Sequence, residues 1–119
     1  MIDLHTHTTH SDGILTPKEL VSKAVNKGLK AIAITDHDTV SALEQVRNEE
    51  RINVVPGVEL SVWHEEVQLH ILGYYIDAKS EALQEALNYL VEQRRERALK
   101  ILANLRRDGV EIREEDIEH

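Results

Sequence analysis

The sequence predicts an α/β fold, a parallel sheet followed by a helical segment, on three observations. Up to Ile52 the pattern alternates strand, helix, strand, helix, strand, the order that builds right-handed βαβ units. The run Ala31-Ile32-Ala33-Ile34-Thr35 is apolar on both faces, as suits a buried parallel strand. From Ser80 the spacing becomes helical, with Leu83, Leu87, Leu90, Val91, Ala98, Ile101, Leu102 and Leu105 marking one long helix or two shorter ones that end at Gly109.

The elements follow in order. Ile2 to His5 reads as a short strand, and residues 6–15 are polar and turn-like. Thr16 is placed to cap a helix, Pro17 fits its first position and Glu19 completes a capping box. Leu20, Val21, Ala24 and Val25 keep helical spacing, and Gly28 suits the position just past the end. Asp36 to Thr39 interrupt the apolar run, and a second helix is expected from about Val40 to Glu50, with Ser41 and Glu44 as its capping pair. Ile52 to Val55 is another strand, which Pro56-Gly57 is expected to break or bend. Val58–Trp63 and Val67–Tyr75 read as two strands joined by the polar turn His64-Glu65-Glu66. Ile32, Ile34, Val54, Val55, Ile71 and Leu72 are the expected buried sheet. The acidic tail Arg113–His119 shows no pattern of its own.

Composition narrows the function. A chain of 119 residues is one domain's worth. No apolar run approaches the ~18 residues needed to cross a bilayer. The start, Met1-Ile2-Asp3-Leu4-His5, lacks a basic flank and an apolar signal region, so the expected location is the cytoplasm. Without cysteine there is neither a disulfide nor a thiolate metal site. A net charge of −8 repels nucleic-acid phosphates unless cations intervene. With no Phe, one Trp and three Tyr, the composition also offers no stacking platform for bases.

Seven histidines remain, unevenly placed. In His5-Thr6-His7 the two imidazoles share one face of an extended segment and can hold one metal ion, or flank a polar loop by chance. Asp12-Gly13 alone is an ordinary turn. Asp36-His37-Asp38 is more telling, because three ionisable groups directly follow a buried strand. Burying them is costly unless they are paired or coordinated, and carboxyl ends of strands are where βα folds place active sites. Helix capping by Asp38 or Thr39 explains one of these residues but leaves His37 without a role. Glu59 and His70 each interrupt an apolar strand; a solvent-facing carboxylate and a core histidine are the plain alternatives. Together His5, His7, Asp12, His37, Glu59 and His70 form six candidate ligands. That exceeds what one tetrahedral ion takes, and a His and carboxylate set suits Zn, Mn or Fe. Clustered divalent ions polarise phosphoryl groups and activate water.

The motifs His5-Thr6-His7-Thr8-Thr9-His10-Ser11-Asp12-Gly13, Ile34-Thr35-Asp36-His37-Asp38, Pro56-Gly57-Val58-Glu59 and His70-Ile71-Leu72-Gly73-Tyr74 resemble, in order, the four opening motifs of the PHP (polymerase and histidinol phosphatase) family. The helices from Ser80, with Arg94, Arg97 and Gly109, resemble the start of the helical insertion in its stand-alone phosphoesterase branch, which includes nucleotide phosphatases and an exonuclease acting on short RNA. The resemblance implies the N-terminal portion of a distorted seven-stranded (β/α) barrel over residues 1–79 and the insertion over residues 80–119. It implies a trinuclear site in which His5 and His7 hold one ion, Asp12 and His37 a second, Glu59 bridges the first to a third, and His70 helps bind that third. Asp36 matches a position that supports the catalytic site without itself being a ligand. His10 is expected in the pocket or on the surface, and His64 exposed.

The same resemblance implies a later His and an Asp-x-His pair, which this sequence does not contain; its last histidine is His119. Barrels of this kind take ~200 residues or more, so the chain reads as a fragment of a longer phosphoesterase. The expected activity is metal-dependent phosphoester hydrolysis by activated water, on a phosphorylated small molecule or short oligonucleotide, incomplete in this chain. The alternatives are a metal-binding but inactive or oligomerising half-barrel, and an amidohydrolase. Against the latter, no lysine is placed as a carboxylated bridge. Exposed edge strands and an uncovered sheet face predict a homo-oligomer with the helical segment in its interface.

Overall fold

A computed structural model describes residues 1–113 and 115. Its elements are β1 (Ile2–Thr6), α1 (Pro17–Asn26), β2 (Ala31–Ile34), a 3₁₀ helix (Ser41–Val46), β3 (Asn53–His64), β4 (Val67–Tyr74) and α2 (Glu81–Arg107). The strands form one sheet in sequence order. β1, β2 and β3 are parallel, and β4 returns antiparallel along β3. At the far edge the Tyr74 hydroxyl donates to the Leu4 carbonyl of β1 at 2.6 Å, so the sheet curls into a half-barrel.

α1 forms as its sequence dictates. Thr16 Oγ1 accepts from the Glu19 N–H at 3.2 Å, and Pro17 occupies the first turn. Gly28, at φ 79°, lets Leu29 N–H reach Ala24 O and Gly28 N–H reach Val25 O, both at 3.0 Å, the bond pair of a Schellman stop. Val21 and Ala24 are buried with Ile32, Ile34, Val58 and Leu87 in the core.

Three expectations are corrected. The segment after Thr39 is a 3₁₀ helix ending at Val46, and Ser41 and Glu44 form no capping box: Thr39 Oγ1 takes the Ser41 N–H instead. Val40, just before it, and Leu43 and Val46 within it are buried at every third position, with Ala42 buried beside them, the repeat of a 3₁₀ turn. Pro56-Gly57 does not break the third strand. Pro56 is the last residue paired to β2 and Gly57 the first paired to β4, so the missing proline N–H falls where the strand changes partner. Ile71 is exposed, because β4 is an edge with no layer on its outer face.

α2 is one helix, capped by Ser80 Oγ accepting from the Leu83 N–H. Leu87 is buried in the core and Leu83 packs against it, so the first half of α2 lies on its own chain's sheet. Ile101 is exposed. No described helix is long and apolar enough to cross a membrane. The end of the acidic tail, residues 114 and 116–119 with His119 among them, lies outside the described residues.

Candidate metal centre

The site sits where β1, β2, β3 and β4 bring their polar residues to one end of the curled sheet. β1 pairs Asp3 with Ile32 but Thr6 with Ile34, three residues against two. This bulge re-aims the strand just before the site and presents His5 and His7 together, with ring centroids 5.1 Å apart. Beyond β2 the chain stays tied to β3: Glu59 N–H donates to Asp36 O at 3.0 Å, and Asp38 N–H to Glu59 O at 2.9 Å. His37 is thereby fixed beside Glu59. The His7 and His37 rings stack 4.6 Å apart, and His70 meets His37 edge-on at 5.5 Å.

Glu59 is the hub, with 2 % of its surface exposed. One carboxylate oxygen faces His5 Nε2 and lies 3.8 Å from His7 Nε2; the other lies 3.0 Å from His37 Nδ1 and 2.7 Å from His70 Nδ1. Burial alone raises its pKa, but the hydrogen bonds from His70 and His5 and the charge of His37 and His5 outweigh it and leave the carboxyl below its ordinary value. Asp12, exposed on the loop after β1, reaches His37 Nε2 at 3.2 Å and His7 Nδ1 at 3.6 Å.

Three donor trios result: His5, His7 and Glu59; His7, Asp12 and His37; His37, Glu59 and His70. Within each, the ligand atoms lie within 4.8 Å of one another. All six residues singled out as ligands are thus brought together, and His7, His37 and Glu59 each serve two trios. The donors suit hard or borderline divalent ions. His7 Nδ1 fits this use further: it is buried, makes no hydrogen bond and points at a carboxylate 3.6 Å away. A buried ring nitrogen left in this state is costly without a partner.

Asp36 belongs to none of these trios. Buried to 1 % exposure, it accepts from the Thr8 N–H at 2.6 Å, the Thr8 hydroxyl at 2.7 Å and the Ser11 hydroxyl at 2.7 Å. It fastens the loop that carries Asp12. Gly13 closes the same loop: a Cβ there would meet His7 O at 2.4 Å, so only glycine fits. His10 lies outside the cluster, with Nδ1 2.7 Å from Ser41 Oγ and Nε2 near Gln45. His64 is exposed at the end of β3.

Asp38 does not cap the following helix. It holds φ 52°, accepts from the Ser61 N–H at 2.9 Å, and pairs with Arg94 of α2. This link was not legible beforehand; its one sign is an aspartate placed directly after His37. Ser61, whose hydroxyl lies 3.4 Å from His37 Nδ1, gave no sign either.

The chain is 43 % identical over 108 residues to the 5′-3′ exoribonuclease Rnm of Escherichia coli, an alignment covering 87 % of this chain and 37 % of that one. It is 37 % identical over 112 residues to a 3′,5′-nucleoside bisphosphate phosphatase of Chromobacterium violaceum, covering 92 % and 39 %. Among solved structures, one described as an amidohydrolase from Chromobacterium violaceum superposes with a TM-score of 0.78 at 38 % identity, covering 92 % of this chain and 39 % of that one. One described as a metal-dependent phosphoesterase from Bifidobacterium adolescentis gives 0.61 at 32 %, covering 74 % and 32 %. The chain spans about two fifths of the length of the curated relatives it matches. The shared half-barrel and its histidine-rich end are explained by a match of the PHP domain model to residues 3–111, nearly the whole chain: the protein belongs to the PHP family.

Proposed function

We propose that this chain carries most of the metal site of a phosphoesterase that hydrolyses nucleotide-type phosphoesters, either a small phosphorylated molecule or a short oligonucleotide. The observation that carries the reading is the set of three donor trios in which each pair meets at one residue, His7, His37 or the buried Glu59. His5 and His7 with Glu59 would hold one divalent ion, Asp12 and His37 a second, and His70 with Glu59 a third. Mn, Zn or Fe in these positions would supply positive charge to a phosphoryl oxygen and lower the pKa of a water.

The chain's own residues do the rest. Glu59 stays ionised and shared, because the imidazoles around it hold its charge. Asp36 keeps the Thr8–Ser11 loop, and with it Asp12, in place. Asp38, clamped by Ser61 and Arg94, fixes the backbone next to His37. Phosphoester rather than amide hydrolysis is supported by the names of the curated relatives and by a glutamate, Glu59, standing between two of the donor trios. Full turnover calls for further donors of the kind the family supplies late in its sequence. A homo-oligomer is supported by Val67, Leu69 and Ile71, exposed on the edge strand β4. A cytoplasmic location remains part of the reading.

The test is calorimetric titration of AMP into the protein with and without Mn²⁺, beside phosphate-release and amide-hydrolysis assays. The expected result is Mn²⁺-dependent AMP binding, abolished by EDTA, with slow phosphate release. AMP binding indifferent to Mn²⁺, or cleavage of amides in place of phosphoesters, would overturn the reading.

A further inference from the structure

We propose that the groove between β3 and α2 is a stacking subsite for the base of a neighbouring nucleotide in a single-stranded oligonucleotide. The proposal rests on the phosphoesterase reading and names the substrate class that site would favour. The groove is a cavity of about 390 Å³ lined by Ser61 and Trp63 of β3 and by Tyr89, Arg94, Arg97 and Lys100 of α2, among others.

Its position is set by the strand. Alternate residues share a face, so Glu59, Ser61 and Trp63 follow one another along one side of β3. Ser61 touches both ends of this track: its hydroxyl lies 3.4 Å from His37 Nδ1, and it lines the groove. Trp63 lies four positions beyond Glu59, roughly 13 Å at ~3.3 Å per residue. A lone nucleotide anchored at the cluster falls short of that; a dinucleotide or longer strand reaches it.

Its chemistry is that of a base and its phosphate. The fold gathers the chain's single tryptophan into the groove, with the Arg97 guanidinium 3.5 Å from the indole centroid. Trp63 still keeps 45 % of its surface open. A guanidinium stacked on one face of an indole leaves a base the other face, or the guanidinium's own plane, to stack on. Arg97 and Lys100 stand there against Glu96, with Arg94 engaged by Asp38, a local positive excess on a chain of net charge −8. The composition alone suggested no stacking platform; one indole is enough when the helix carries its cations to it.

Trp63 is the only tryptophan, so its fluorescence reports the groove directly. The experiment titrates a five-nucleotide oligoadenylate and AMP into the protein in EDTA, which blocks hydrolysis, over a series of salt concentrations. The five-mer should quench Trp63 saturably, whereas AMP, too short to reach the groove, should give no quenching in EDTA. Followed by anisotropy of a dye-labelled five-mer, Trp63→Ala should weaken binding roughly 5- to 150-fold, the span expected for losing one stacked base, while Trp63→Phe retains most of it. Arg97→Gln should lower the salt slope by about 0.7, as for one phosphate contact on a single strand. Mn²⁺ binding by calorimetry should be unchanged in all three variants, showing them folded. Absence of quenching, or five-mer binding unaltered in Trp63→Ala, would overturn the subsite. Quenching in a protein that fails to bind Mn²⁺ would support the groove and overturn the metal reading instead.

Discussion

The sheet end of the molecule and α2 are held by different means. At the sheet end, backbone ladders tie each strand to its neighbour, and the buried carboxylates are engaged from other segments: Glu59 from β1 and β4, Asp36 from the loop after β1, and Asp38 from β3 and α2. α2 is joined to that body by Leu87, the flanking Leu83, the Arg94–Asp38 ion pair and the Arg97–Trp63 stack. Geometry that must be accurate is placed where many bonds agree, whereas a surface that meets a substrate is placed on an element held by a few side chains. Local opening follows the same division, since segments with few buried apolar contacts open at lower free energy.

The strongest way to break this contrast is at the hub. Glu59→Gln removes the charge shared by two donor trios. It should lower Mn²⁺ affinity by more than roughly 100-fold, beyond the 10- to 100-fold typical of groups that only support a ligand. Asp36→Asn should show that supporting effect, a loss of about 10- to 100-fold in metal affinity, with a fall in unfolding free energy of about 1–3 kcal/mol from the Thr8 and Ser11 donors left without their carboxylate. Metal titration and urea denaturation measure the two.

On the helix side the signs reverse. Leu87→Ala should cost about 2–5 kcal/mol in stability while leaving Mn²⁺ affinity in the surviving folded protein nearly unchanged. Equal losses in both would mean that α2 and the metal centre are one unit rather than two. The smallest effect belongs to His10→Ala: with its ring turned to Ser41 and Gln45, Mn²⁺ affinity should stay within about twofold, well below the support effect.

What could be read beforehand follows the same line. The strands, the α1 cap and the six residues that the fold gathers at one end were legible because each rests on a local signal: an apolar run, a threonine before a proline, a histidine or acid beside or inside a strand. Features that depend on a partner distant in sequence were not. The β1 bulge that aims His5 and His7 appears only when β1 is laid against β2. The continuity of β3 through Pro56 appears only once its partner is seen to change there. Asp38 reads as a helix cap until Arg94, 56 residues later, is found beside it. The Val40, Leu43, Val46 repeat was visible as residues, but the expectation of an α-helix hid its three-residue period.

The central claim is that one buried carboxylate, shared by two of three interlocked donor sets, builds a multinuclear centre, and Mn²⁺ stoichiometry by isothermal titration of the parent protein and Glu59→Gln tests it most directly. The parent should bind more than one Mn²⁺ per chain, and Glu59→Gln should lose affinity at more than one site at once. A single Mn²⁺ per chain, or losses confined to one site, would contradict it.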